Sequence, residues 1–312
     1  MIAYASRPHY LAHLGAVWDA LGAPQPVAVP RELLGYAERS GRAAQPVTRG
    51  RGPCVVAGYV DLFRARRLGY GPFAMLQHGA GQSYHGDPRS AGNPHYAGGR
   101  DHEDVRVFVV PGPDPARRWA ERYPAAKVVV VGNLTPLPAR EGEAGKVVAV
   151  AFHWPCGLVP ETRSAWRDFR TALPAIAARW TVLGHWHPRW GDLLRREYDR
   201  LGIEPVADLR EVARRADLLV ADNSSALFEW AETGRPVVVL NGSRYRKDAH
   251  HGLRFWEAAT VGVQVERPES LEAAVGLGLL DPRGLRAERA RCVGIVYGAG
   301  SARPAAEAIA AM

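Results

Sequence analysis

Four short segments carry side chains able to do chemistry, and each follows an apolar run that reads as a strand. Asp222-Asn223-Ser224-Ser225 follows Asp217–Ala221 and precedes the amphipathic stretch Ala226–Gly234. Two serines at a strand-to-helix turn offer small hydroxyls and backbone N–H groups at the positive end of a helix, which is a seat for phosphate. The same residue types also cap helices with no ligand involved. The second segment runs from Gln77 to Asp87 and begins Gln77-His78-Gly79-Ala80-Gly81-Gln82-Ser83-Tyr84-His85. An imidazole at the carboxyl edge of a strand can take a proton from an attacking hydroxyl near neutral pH, and Gly79 and Gly81 let the backbone approach a ligand. His85 is a second candidate base or ligand in that loop, and a histidine that merely caps a carbonyl is the alternative for both. In Leu183-Gly184-His185-Trp186-His187-Pro188-Arg189, the two histidines fall on one side of a strand. That spacing could hold a metal, but no Asp, Glu or Cys at ligand spacing joins it. His187 is therefore read as a donor to a phosphate oxygen, and no metal is expected. The fourth segment, Asn241–Asp248, sets Arg244, Arg246 and Lys247 just after the run Pro236–Leu240. Three cations there suit phosphate or carboxylate, or an ordinary surface loop. Asp101-His102-Glu103-Asp104 reads as a solvated loop rather than a cation site.

The elements that must position these groups alternate strand and helix, the pattern of parallel sheets in α/β domains. Strands are predicted at Met1–Ala5, Pro53–Gly58, Pro72–Gln77, Val105–Val110 and Lys127–Val131, with helices at Tyr10–Leu21, Val60–Leu68 and around Ala116–Tyr123. Gly79–Arg100 reads as a long functional loop. The stretch Gly132–Gly145, with Pro136, Pro138 and a charged tail, is the best linker. After it come strand Val147–Phe152, helix Thr162–Trp180, strand Thr181–His185, helix Gly191–Gly202, strand Ile203–Val206 and helix Asp208–Ala216. Two Rossmann-like α/β domains, 1–145 and 146–312, with parallel sheets facing a central cleft are the economical architecture. The last helix, Ala302–Ala311, is a candidate to cross back to the first domain.

Composition narrows the function classes. The chain has 312 residues, of which 47% are hydrophobic, enough for two cores. No apolar stretch is long enough to span a bilayer, and Met1–Arg7 does not resemble a signal peptide. Cys54, Cys156 and Cys292 lack paired spacing, which fits a reducing cytoplasm. The formal net charge is +8, and Lys127, Lys146 and Lys247 are the only lysines, so the positive charge is almost all arginine. Guanidinium forks match phosphate geometry, although arginine-rich codon usage would give the same composition. An acidic polymer acceptor (a teichoic-like glycan or nucleic acid) or peripheral contact with an anionic membrane would suit such a surface. The chain has no Gly-Lys-Ser/Thr phosphate loop, no Gly-x-Ser-x-Gly elbow, no complete dinucleotide fingerprint after the first strand and no Asp-x-Asp motif. ATP hydrolysis, α/β-hydrolase chemistry and nicotinamide redox chemistry are thereby disfavoured.

Taken in order, several of these segments resemble the CDP-glycerol glycerophosphotransferase family, the teichoic-acid polymerase-like enzymes of GT-B architecture. Leu76-Gln77-His78-Gly79 resembles the family's His-Gly motif, Val131-Gly132-Asn133 stands at its Gly-Tyr-Pro-like turn, and His187-Pro188 resembles its His-Pro motif. The segment from Ala221 to Glu229 resembles Asp-Tyr-Ser-Ser-x-x-Phe-Asp/Glu. Tyr245-Arg246-Lys247-Asp248, Gly252-Leu253-Arg254-Phe255 and the ending Tyr297–Arg303 are similar to the family's downstream stretches. The resemblance implies a metal-independent transferase with the GT-B fold and no cofactor beyond a nucleotide-diphosphate donor. It makes His78 the general base, His187 a stabiliser of the departing pyrophosphate, and Ser224 and Ser225 the donor phosphate ligands. Arg246 and Arg254 become further anion contacts, and Glu229 the residue facing the nucleoside. The acceptor loop would include Gly79, Gln82 and His85. The family's lysine after His-Gly is missing here, with Gln82-Ser83 in that region. The rival expectations are a glycosyltransferase acting on nucleic acid, a nucleotide-sugar 2-epimerase on the same architecture, and a non-catalytic binding module.

Overall fold

Apolar runs with almost no polar alternation set the two sheets, because a strand covered on both faces must be apolar at every position. In a computed structural model of the chain, the described residues are 1–22, 26–80, 102–143, 145–155, 164–222, 224–243, 258 and 260–312. They form two compact units. One holds described residues up to Thr135 together with Val296–Met312, and the other holds those of Pro136–Ile295.

The first unit is built from β1 (Ile2–Tyr4), α1 (Pro8–Ala20), β2 (Val27–Val29), α2 (Leu34–Arg39), β3 (Ala44–Pro46), β4 (Cys54–Val56), α3 (Tyr59–Arg67), β5 (Phe73–Leu76), β6 (Val105–Val110), α4 (Pro113–Arg122) and β7 (Lys127–Val130). The sheet order is β3-β2-β1-β4-β5-β6-β7, and each of its strand pairs is parallel. Alternate residues divide between two cores. Ala3, Val27, Val29, Val55, Ala74, Leu76 and Val107 pack on α1 and on the C-terminal helix Ala302–Ala310. Tyr4, Cys54, Val56, Phe73, Met75 and Phe108 pack on Leu62, Trp119 and Tyr123 from the other side.

The second unit continues with β8 (Val148–Phe152), α5 (Trp166–Phe169), α6 (Leu173–Arg179), β9 (Val182–Trp186), α7 (Asp192–Arg200), β10 (Glu204–Pro205), α8 (Leu209–Arg215), β11 (Leu218–Ala221), α9 (Ala226–Glu232), β12 (Val237–Leu240), β13 (Val263–Val265), α10 (Leu271–Leu280) and α11 (Arg283–Val296). Its parallel order is β10-β9-β8-β11-β12-β13. The helix expected over 162–180 is broken: a short 3-10 turn, Arg170–Ala172, separates α5 from α6, and Pro174 falls in the first turn of α6, where its missing N–H costs nothing. Gly184 interrupts the otherwise bulky β9 for a packing reason. A Cβ there would lie 2.5 Å from the ring of Tyr198, which is buried beneath the strand and donates its hydroxyl to the His185 carbonyl at 2.9 Å. Among the described residues, no helix is long and apolar enough to cross a membrane.

Candidate functional site

In the first unit the strand order reverses between β1 and β4, and the carboxyl ends beside such a reversal leave a crevice. Just past β1, Ser6 turns the chain into α1. Asp61, in the first turn of α3, accepts the Ser6 N–H at 2.8 Å and the Ser6 hydroxyl, pinning that turn. Burial pushes the Asp61 carboxyl up to about 6, against the bonds from Ser6, which favour the charged form. So held, α1 carries His9, Tyr10 and His13 to the imidazole of His78, just past β5. The Tyr10 ring lies 4.4 Å from that of His78, His9 5.3 Å and His13 6.5 Å, centroid to centroid. Burial, and then the neighbouring His9, push His13 down to about 4, so it is neutral at pH 7. Gly58 ends the β4 segment at φ 113°, ψ 168°, and a Cβ there would stand 2.7 Å from His78 Nδ1. The glycine leaves the imidazole its room.

In the second unit the reversal falls between β8 and β11. Asp222, just past β11, is buried and accepts backbone N–H groups from His153 at 2.8 Å and Ala165 at 2.9 Å, tying the segment after β8 and the start of α5 to the serine turn. Burial pushes Asp222 up to about 7, against those bonds and one from Ser164. Within the turn, Ser224 Oγ accepts the Ala226 N–H at 3.3 Å, and the Ser224 and Ser225 carbonyls accept from Leu227 and Phe228. The first-turn N–H groups of α9 are thus largely occupied within the turn itself. Ser225 makes no side-chain cap. Its hydroxyl bonds Glu229, whose carboxyl is pushed up to about 7 by burial.

Two imidazoles complete this edge. His187, past β9, lies 5.3 Å from His153, past β8. The Arg189 N–H donates to His187 Nδ1 at 3.1 Å, which assigns the proton of the neutral ring to Nε2. His153 is the reverse: its Nδ1 donates to the Trp154 carbonyl at 2.9 Å. The Arg189 guanidinium covers Trp154 at 4.2 Å.

Each unit therefore groups some of the expected residues. His78 and Gly79 share the edge of the first, while Ser224, Ser225 and Glu229 form one turn of the second, joined to His187 through Asp222 and His153. Gln82, His85, Arg246 and Arg254 lie outside the described residues. His185 does not face the same chemistry as His187: its Nδ1 donates to the Val206 carbonyl at 3.1 Å, and burial lowers its pKa. Among the described residues no group of three or more His, Cys, Asp or Glu side chains could hold a metal ion. His102 corrects the reading of its segment as solvated. It is fully buried, its Nδ1 lies 3.2 Å from the Tyr123 hydroxyl, and its ring packs against Trp119. The sequence reading passed over His153, although a histidine directly after the apolar run Val148–Phe152 is the same signal that marked His78.

No protein-family model and no curated protein matches this sequence. Solved structures are similar along nearly the whole chain. The UDP-GlcNAc 2-epimerase from Neisseria meningitidis, bound to UDP-GlcNAc, shares 13% identity over 99% of this chain and 98% of that one, with a TM-score of 0.59. The wall teichoic acid polymerase TagF, solved with CDPG, shares 12% over 99% of this chain and 88% of that one, at 0.57. The spinosyn rhamnosyltransferase SpnG shares 13% over 100% and 99%, also at 0.57. The chain has the GT-B fold. Identities this low establish architecture and leave activity to the site.

Proposed function

We propose that this GT-B chain is a transferase that moves a glycosyl or glycerol-phosphate group from a nucleotide-diphosphate donor to a hydroxyl acceptor, in the manner of the CDP-glycerol glycerophosphotransferase family. His78 takes the proton of the acceptor hydroxyl as its oxygen attacks, and the bond that breaks is the anomeric C–O bond to the diphosphate for a glycosyl group, or the P–O bond of the pyrophosphate bridge for glycerol phosphate. The nucleotide leaves with that electron pair. Ser224, Ser225 and His187 Nε2–H, with Arg246 and Arg254, donate to its phosphates, and Glu229 faces the nucleoside. The donor is a substrate, and no further cofactor enters the scheme.

The observation that carries this reading is placement. In each unit the described groups able to act lie past strand carboxyl ends at, or one strand from, the reversal of strand order, where open α/β sheets bind ligands. Likeness to proteins solved with UDP-GlcNAc and with CDPG supports a nucleotide-linked donor. A thermal-shift panel of CDP-, UDP-, GDP- and ADP-linked donors identifies the base, because a ligand bound only to the folded state raises the melting point. With that donor, His78→Ala abolishes turnover while binding survives. Near-wild-type turnover in His78→Ala would overturn the base assignment. The near-complete overlap with a UDP-GlcNAc 2-epimerase favours one second reading, in which an altered sugar is released without any acceptor. Product analysis with donor alone separates the two.

A further inference from the structure

Beside His78 the first unit holds a second polar feature that the transferase scheme leaves idle. Gln77, the last residue before His78, is 5% exposed, and neither its Oε1 nor its Nε2 has a hydrogen-bond partner among the described residues. Its backbone N–H is satisfied by the Val109 carbonyl at 2.9 Å, so the residue is held in register while its carboxamide stays unengaged. A buried amide without partners costs about 1–3 kcal/mol, and native structures keep few of them. Gln77 is one wall of a crevice of about 220 Å³, measured to its open mouth, past the carboxyl ends of β5, β6 and β7. The other walls come from His13, Gly79, Pro111, the 131–134 segment and Tyr297. The inner part has room for about one water-sized group.

The lining settles the class of group that fits. Among the described residues it contains no Lys, Arg, Asp or Glu, so a phosphate or carboxylate would be desolvated against them with no counter-charge. His13 adds no charge at neutral pH, since burial holds it unprotonated. A carboxamide offers one acceptor and two donors side by side, which a hydroxyl can meet by donating and accepting together. His13 also ties the crevice to the base, being both a wall residue and a ring neighbour of His78.

We propose that this crevice is a subsite for a neutral hydroxyl or hydroxymethyl group of a polyol or sugar, read by the Gln77 carboxamide. Calling that molecule the acceptor rests on the transferase reading; the binding itself does not. The subsite admits the uncharged end of such a molecule and refuses its phosphates.

The full chain with 15N-labelled glutamine and glycine is titrated with glycerol and, separately, with inorganic phosphate. The Gln77 side-chain amide signals, assigned by their loss in Gln77→Leu, shift saturably with glycerol and stay still with phosphate. In Gln77→Leu the glycerol response of the Gly79 and Gly132 amides weakens roughly tenfold, as loss of a hydrogen-bonding partner implies. The same variant melts at or above the wild-type temperature, because it removes an unsatisfied buried amide. A Gln77 signal that ignores glycerol and shows contact with one long-lived water overturns the proposal, as does a response to phosphate or marked destabilisation by Gln77→Leu. Titrations with CDP, UDP, GDP and ADP, read by heat of binding, separate the two readings. Binding of any one of them with Gln77 silent to glycerol sinks the subsite alone, whereas a glycerol response with none of the four bound sinks the transferase reading alone.

Discussion

Gly58→Ala tests whether the backbone around β4 was selected to seat His78. Two costs can be worked from the structure. The residue sits at φ 113°, ψ 168°, a region essentially confined to glycine, and an alanine held there costs about 1–3 kcal/mol. The added Cβ also meets His78 Nδ1 at 2.7 Å, His78 Cε1 at 2.9 Å and Tyr10 Cζ at 3.4 Å, overpacking that costs about 1–3 kcal/mol. The ring has little room to retreat, with Tyr10 packed 4.4 Å away. The sum is roughly 2–6 kcal/mol, and the two terms can be separated. In a His78→Ala background the steric term largely vanishes and the backbone term stays, so the pair should show a coupling of about 1–3 kcal/mol in a double-mutant cycle. Urea denaturation of the four proteins gives the free energies. Amide exchange over 54–76 shows that the loss falls in the first unit. Equal costs for Gly58→Ala with and without the His78 ring would refute the claim that this glycine exists for the imidazole.

Other expectations follow from the second unit. Asp222 titrates near 7 in the folded chain against an ordinary value of 3.8, so the stability it contributes is greatest below about pH 4 and is lost as pH rises through 7. The stability difference between wild type and Asp222→Asn should therefore fall by up to about 1.4 kcal/mol per pH unit across that window, and a difference that grows from pH 5 to pH 8 would contradict it. Asp281 clamps the buried Arg289 through two contacts of 2.9 Å, so Asp281→Asn should cost about 3–5 kcal/mol in urea denaturation. Gly184→Ala would drive a Cβ to 2.5 Å from the Tyr198 ring and should cost about 1–3 kcal/mol. Asparagine at position 187 can still accept the Arg189 N–H but lacks Nε2–H. His187→Asn should fold normally and bind the nucleotide that the panel identifies roughly tenfold more weakly by calorimetry, the loss of one charge-assisted donor.

What could be read from the residues alone divides along physical lines. The runs at β8, β11 and β12 are apolar at every position because both faces are covered, so their ends, and the serines just past β11, were visible from order and composition. β2 and β3 escaped notice as three-residue strands in a stretch rich in alanine and proline, where no period can develop. α10 escaped because its sequence is apolar on nearly every side, so no stripe marks it as a helix. The site followed the same rule: whatever depends on chain order is legible, and whatever depends on which strand ends adjoin is not. Asp61 meets Ser6 across 55 residues, Gly58 yields to His78 across a whole helix and strand, and Asp222 meets the His153 backbone 69 residues away. The first and last of these exist only because the sheet order reverses between β1 and β4 and between β8 and β11, which brings strand ends distant in sequence side by side, while Gly58 and His78 follow the neighbouring strands β4 and β5. Asp222 shows the consequence most clearly. Its residue type alone suggested a helix cap, yet it caps nothing in its own helix, and its carboxylate holds two other segments together at the carboxyl edge of the sheet.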